Sequence, residues 1–279
     1  MQSGVDEATI IQETIEGYIS FLAEAGFTIR VRRNFETYAA IRLANGAMSL
    51  NQAFDPRHVC FGDDDFWLLA LNRRGEAVAT YCVRRFVADD FYDVIRSQAL
   101  WFGDRLRLVD RRFIVNCAIP SLGGDVVHEG GCWVRRDYRG RNRQPRLSHA
   151  LARLARAIAL RNGSFCHDTG MILNDPRDRP EVTGRKAVSL GIKAYGFAGI
   201  HRLVDGWFPP EGREAIVYLC HSTTAEALAS LAPPPGNAGT GGLPPFELGQ
   251  EPLVEQNEEL VDASTIGGQW QEQPSVRIG

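Results

Sequence analysis

No run of about 18 consecutive apolar residues occurs in this 279-residue chain, so no segment is able to cross a bilayer as a helix. The stretch Met1 to Glu7 has neither the basic start nor the apolar core of a signal peptide, so export by that route is not expected and a cytoplasmic location is. There is no C-x-x-C pair. Cys60, Cys82, Cys117, Cys132, Cys166 and Cys220 are scattered, and several sit in strand-like apolar runs. They read as reduced, buried small hydrophobes. His128, Cys132 and Cys166-His167 lack the short spacing of metal ligands, so no metal is expected. Cys166-His167-Asp168 is not a nucleophilic set, because strand neighbours point to opposite faces. No internal repeat is present. The formal net charge is only −3, which gives the molecule no strong overall attraction to nucleic acid or anionic membrane.

Lysine is nearly missing as well: Lys186 and Lys193 are the only two, and every other basic residue is Arg. The charge is unevenly placed. From Arg105 to Arg161 there are thirteen Arg against Asp110, Asp125, Glu129 and Asp137. From Ala232 to Gly279 there are seven acids against Arg277 alone. A basic middle suggests a site for an anionic ligand; an acidic tail suggests an intramolecular contact or a protein partner. No aromatic-basic recognition motif supports nucleic-acid binding.

What is present is ordinary globular composition, 44% hydrophobic with 14 Pro and 28 Gly. Ile10, Ile11, Thr14, Ile15, Tyr18, Ile19 and Leu22 recur at helical spacing, predicting a helix over 7–25 that stops at Gly26. A short strand follows over 27–31, then one or two helices with loops over 35–58. Phe66 to Leu71 and Glu76 to Phe86 are strand-like runs joined by Asn72-Arg73-Arg74-Gly75, a β-hairpin. A helix is predicted over 89–102 and short strands over 106–119. A strand over 126–136 then leads into the Gly-bearing loop 138–144. Pro145 suits the first turn of a helix, and Leu147, Ala150, Leu151, Leu154, Ala155, Ile158 and Ala159 form its apolar face up to Asn162-Gly163. A strand over 165–173, a helix over 185–194 and strands over 200–208 and 215–220 complete the pattern. The Pro/Gly-rich stretch 232–245 cannot bury enough apolar surface to offset its ordering entropy, so 232–279 is expected to be disordered or extended.

The loop 138–144 is the chemical feature. A strand that enters a loop and then a helix N-terminus offers free backbone N–H groups and the positive end of the helix dipole, a seat for phosphate. Arg139, Arg141, Arg143 and Arg146 add guanidinium forks beside it. Trp133-Val134-Arg135-Arg136-Asp137-Tyr138-Arg139-Gly140-Arg141 resembles the fourth strand and pyrophosphate loop of the GNAT acyl-CoA N-acyltransferases, which read V-x-P-x-Y-R-G-x-G-x-G/A-x-x-L. Val134, Tyr138, Arg139, Gly140 and Leu147 fall in register without a gap. Lys193-Ala194-Tyr195-Gly196-Phe197 resembles the family's Y-x-K-x-G-F segment. The pattern departs from the family at Asn142 and Gln144, where small residues are usual, and at Ile192, where the general-acid tyrosine usually stands; Tyr195 is nearby.

The resemblance implies an α/β fold, with a mixed, mostly antiparallel, splayed sheet flanked by helices. It places acetyl-CoA or another acyl-CoA, as co-substrate, between the fourth and fifth strands. Val134, Arg139, Gly140, Arg141, Asn142, Arg143 and Gln144 would hold that ligand, and Glu129 and Tyr195 are the candidate acid–base groups. The expected activity is acyl transfer to an amine acceptor. The alternative is a scaffold that has lost catalysis and binds a partner protein through its acidic tail. The acyltransferase domain is expected over 1–231, with an insertion at about 88–124 forming a flap or wall over the acceptor side, and the tail over 232–279.

Overall fold

The computed structural model describes residues 6–47, 50–103, 114–117, 122–139, 146–174, 198–201 and 216–231. Helix α1 (Glu7–Glu24) buries Thr14, Ile15, Tyr18 and Leu22, one stripe of the predicted spacing. It ends where predicted. Gly26 takes φ +87, its N–H bonds to Ala23 O and that of Phe27 to Leu22 O, which satisfies the orphan carbonyls of the last turn. Strand β1 (Thr28–Arg32) follows, then α2 (Phe35–Ala44), whose N-cap Asn34 accepts from Thr37 N at 3.0 Å. A short 3-10 turn covers Gln52–Phe54.

Strands β2 (Phe66–Leu71) and β3 (Ala77–Ala88) form the predicted hairpin, and Asn72 Oδ1 ties its turn by accepting from Arg74 N and Glu76 N. The predicted helix over 89–102 is in fact two, α3 (Phe91–Arg96) and α4 (Ala99–Phe102), because Gln98 between them turns left-handed at φ 68. Strand β4 (Ile114–Cys117) pairs with β7 (Ala198–His201), antiparallel, and with no other strand among the described residues. The main sheet continues with β5 (Gly124–Val134), crosses over through α5 (Leu147–Asn162) to β6 (His167–Asn174), and ends with β8 (Ile216–Thr223). Helix α6 (Thr224–Ala229), unforeseen in the sequence, starts with a Thr223/Glu226 capping box.

The six-stranded sheet has the order β1-β2-β3-β5-β6-β8. Every neighbouring pair is antiparallel except β5 and β6. This is the mixed, mostly antiparallel sheet that the sequence predicts. Each face carries its own core. On one, α5 lies against the sheet with α1 over it, which is why α5 is buried unbroken from Leu154 to Leu160 instead of along one stripe. On the other, Phe35 and Tyr38 of α2 and Phe54 meet Trp67, Leu69 and Val126. Phe91, Ile95, Leu100, Trp101 and Phe102 belong to that second core and are all buried. This part of the expected insertion is therefore packed into that core. Among the described residues no helix is long and apolar enough to cross a membrane.

Candidate functional site

The site follows from how two parallel strands part. Strand β5 pairs with β6 only from Val126 to Glu129, against His167 to Gly170. Beyond that point β6 continues with β8, and β5 continues with β3 alone. A wedge opens between them. Burial records the parting: Val126 to Glu129 are all buried, whereas every residue from Gly130 to Val134 is half-buried or exposed. One edge of β5 over Gly130–Val134 thus has no strand partner among the described residues. In a strand that edge carries N–H and C=O groups available to an extended ligand.

The same stretch bulges. Ala79 and Thr80 pair with Val134 and Trp133, but Cys82 and Val83 pair with Gly130 and Glu129, so β5 holds one extra residue opposite Tyr81. Gly131 has φ +57, and a Cβ there would lie 2.7 Å from Cys82 Sγ; a Cβ on Gly130 would lie 2.6 Å from the Phe54 ring. Sequence reading took 126–136 as plain strand. The Gly-Gly pair inside it was the available sign of a bulge.

At the top of the wedge, the Arg139 guanidinium folds back on the strand end, Nε donating to Val134 O at 2.5 Å. Two residues of the expected phosphate seat are thereby together. Leu147 begins α5 directly after this loop, with Arg146 at its N-cap. Gly140, Arg141, Asn142, Arg143, Gln144 and Tyr195 lie outside the described residues.

At the base of the wedge sits a buried charged group. Tyr81 Oη donates to Glu129 Oε2 at 2.8 Å, and Arg156 Nη2 reaches the same oxygen at 3.2 Å. Arg156 Nε donates to Asp168 Oδ2 at 2.6 Å, and Nη1 to Ser230 Oγ at 3.3 Å. The side chains of Arg156, Glu129 and Asp168 are fully buried. Two carboxylates share one guanidinium, so ionising both would bury a net negative charge. Burial, and then the neighbouring Asp168 charge, push Glu129 up to about 8 against the pull of Arg156; burial raises Asp168 too. Glu129 Oε1 is shielded from solvent without a hydrogen-bond partner among the described residues. Glu129 is thus no solvated surface residue. His128 faces the other way, as strand alternation requires, with Nδ1 3.0 Å from Thr169 Oγ1 and its ring stacked on Phe54. Desolvation lowers its pKa to about 3, which keeps it neutral. Sequence reading missed Arg156 and Asp168. An Arg amid the Ala-rich apolar face of α5 was the one sign available.

Comparison with protein-family models and with curated proteins gives no match. Solved structures do. The likeness is to N-acetyltransferases. A candidate phosphinothricin N-acetyltransferase is 11% identical, with TM-score 0.41, over 71% of this chain and 99% of its own. A GCN5-related N-acetyltransferase from Kribbella flavida is 14% identical, with TM-score 0.40, over 72% and 99%. A candidate acetyltransferase from Acinetobacter baylyi is 14% identical, with TM-score 0.39, over 71% and 92%. Likenesses this remote carry no weight for the reaction. The fold stands on the strand order and the single splayed parallel pair.

Proposed function

We propose that the chain is an N-acyltransferase that moves an acetyl or longer acyl group from acyl-CoA to an amine. The observation that carries this reading is the wedge. A pantetheine arm is an extended chain of amides, and the unpaired edge of β5 over Gly130–Val134 offers amide partners along its length. The chain then leads through Arg139 to the N-terminus of α5, where a pyrophosphate finds free N–H groups and the helix dipole. Amine and thioester meet above Glu129. The amine nitrogen attacks the thioester carbonyl, the C–N bond forms, the C–S bond breaks, and the sulfur leaves as a thiolate. The proton lost by the nitrogen ends on that sulfur. Holding the two reactants together supplies most of the acceleration in such a transfer.

In this reading Glu129 is the group that accepts the amine proton, through water, since the residue is 2% exposed. Because it keeps its own proton below about pH 8, the rate should rise with pH up to that value and level off. Glu129→Gln should flatten the profile.

The test is calorimetry with acetyl-CoA and longer acyl-CoAs, followed by release of free thiol in the presence of amines. Binding in the micromolar range is expected, and Gly140→Val should abolish it, because a β-branched side chain at the loop blocks approach of the backbone. No binding at millimolar acyl-CoA would overturn the reading.

A further inference from the structure

We propose that Arg42 binds an anionic group of the amine acceptor, so that the substrate class is amines carrying a carboxylate, with amino acids as the simplest case. This rests on the acyl-transfer reading above. Arg42 stands in the last turn of α2, its guanidinium carbon 5.1 Å from the centre of the Trp133 ring. Trp133 belongs to the part of β5 that β6 has left, so Arg42 borders the wedge. Its Nε and Nη1 are shielded from solvent and have no hydrogen-bond partner among the described residues. Among the described residues the ionisable groups that act on it are Tyr38, Cys82, Cys132 and Arg139, and none of them is a carboxylate.

A guanidinium does not lose its charge in a protein. Covering it while leaving its donors unused opposes folding. Desolvation accordingly pulls its pKa below the ordinary arginine value, and Arg139 nearby adds repulsion. Among the described residues the two buried arginines have their answers: Arg156 has two carboxylates, and Arg84 has Asp65 at 3.8 Å and the Ala53 and Leu100 carbonyls. An oxyanion entering beside Trp133 would supply both the countercharge and the acceptors that Arg42 lacks. Two ligands could bring one, the acceptor or the CoA phosphates. The layering favours the acceptor, while Arg139, given above to the phosphates, also stands near Arg42, so the acetyl-CoA arm of the experiment decides between them. Helix α2 packs in the core that includes Phe35, Tyr38 and Trp67, on the face of the sheet opposite α5, whose N-terminus takes the phosphates.

The experiment compares pairs that differ only in the carboxylate, L-phenylalanine against phenethylamine and L-lysine against cadaverine. Binding to the full chain is measured by calorimetry with and without acetyl-CoA. In at least one pair the amino acid should bind about tenfold or more tightly, as a charge-assisted contact provides. Arg42→Gln should erase that preference, leave acetyl-CoA affinity unchanged and not lower the melting temperature. Arg42→Lys should keep part of it. The proposal is overturned if the decarboxylated partner binds as well or no amino acid binds. It is equally overturned if Arg42→Gln weakens acetyl-CoA, which would assign the residue to a phosphate. A lower melting temperature with the preference intact would make its role structural. Amino-acid binding is read without turnover, so failure of the acyl-transfer reading appears separately, as absent acetyl-CoA binding.

Discussion

The two halves of β5 differ in neighbours, register and burial. From Val126 to Glu129 the strand has a neighbour on both sides, is buried, and closes every charge it carries within a hydrogen-bonded group. From Gly130 to Val134 it has one neighbour, an extra residue, partial exposure, and an arginine above it with unused donors. The Gly-Gly pair marks the bulge, but local propensity alone does not open the second half. The departure of β6 does. Whether a strand is scaffold or ligand platform is here decided by its neighbour.

The comparison predicts unequal responses to substitution. The largest belongs to the closed half: Arg156→Met should cost about 3–5 kcal/mol, because two carboxylates remain buried without their partner. Chemical denaturation measures it, and adding Glu129→Gln should recover part of the loss. Equal stability of Arg156→Met and the parent would mean that the closed half is not held by this charge. Next comes the bulge between the halves. Gly131→Val meets both a positive φ and a 2.7 Å approach to Cys82 Sγ, and should lose about 2–4 kcal/mol of stability.

The open half should separate binding from folding. Arg139→Ala should weaken acyl-CoA by about 1–3 kcal/mol in calorimetry and change stability by less than about 0.5 kcal/mol. A larger stability loss would join Arg139 to the scaffold. A separate effect is one of pH. Glu129 has a folded pKa of about 8, above its unfolded value, so the folded chain holds a proton that the unfolded chain has released between the usual carboxylate range and about 8. Stability should therefore fall as pH rises through that window and stay flat above it. Asp65, raised by burial, acts in the same direction at another place and cancels in the difference between parent and Glu129→Gln, which reports the slope of the Glu129 and Asp168 pair.

Much of this division was legible in the sequence and some was not, for identifiable reasons. The β2–β3 hairpin, α1 with its glycine stop, and the strand before Arg139 with the helix from Leu147 are set by local chemistry, and all stand where periodicity places them. Arg156 was not legible because its partners, Glu129 and Asp168, come from strands that only the crossover brings side by side. Gln98 broke a helix that periodicity ran straight through, because the tertiary placement of Leu100 and Trp101 outweighs the local preference for continuing. The stretch 91–102 read as an insertion when counted against a family pattern. Packing makes it part of a core. The parting of β5 from β6 leaves no mark on either strand alone.

Those four residue pairs between β5 and β6 also define a seam. They join a four-stranded piece, β1-β2-β3-β5, to a two-stranded one, β6-β8, and Arg156 spans the join from α5 like a rivet. A sheet stitched so briefly at one line should breathe along it. In hydrogen exchange the amides of 126–129 and 167–170 that face across this seam should open together, at lower free energy than those of the β2–β3 ladder. A ligand lying across both lips of the wedge would slow that opening in proportion to its occupancy, so the seam itself would report what the protein binds before any product is seen.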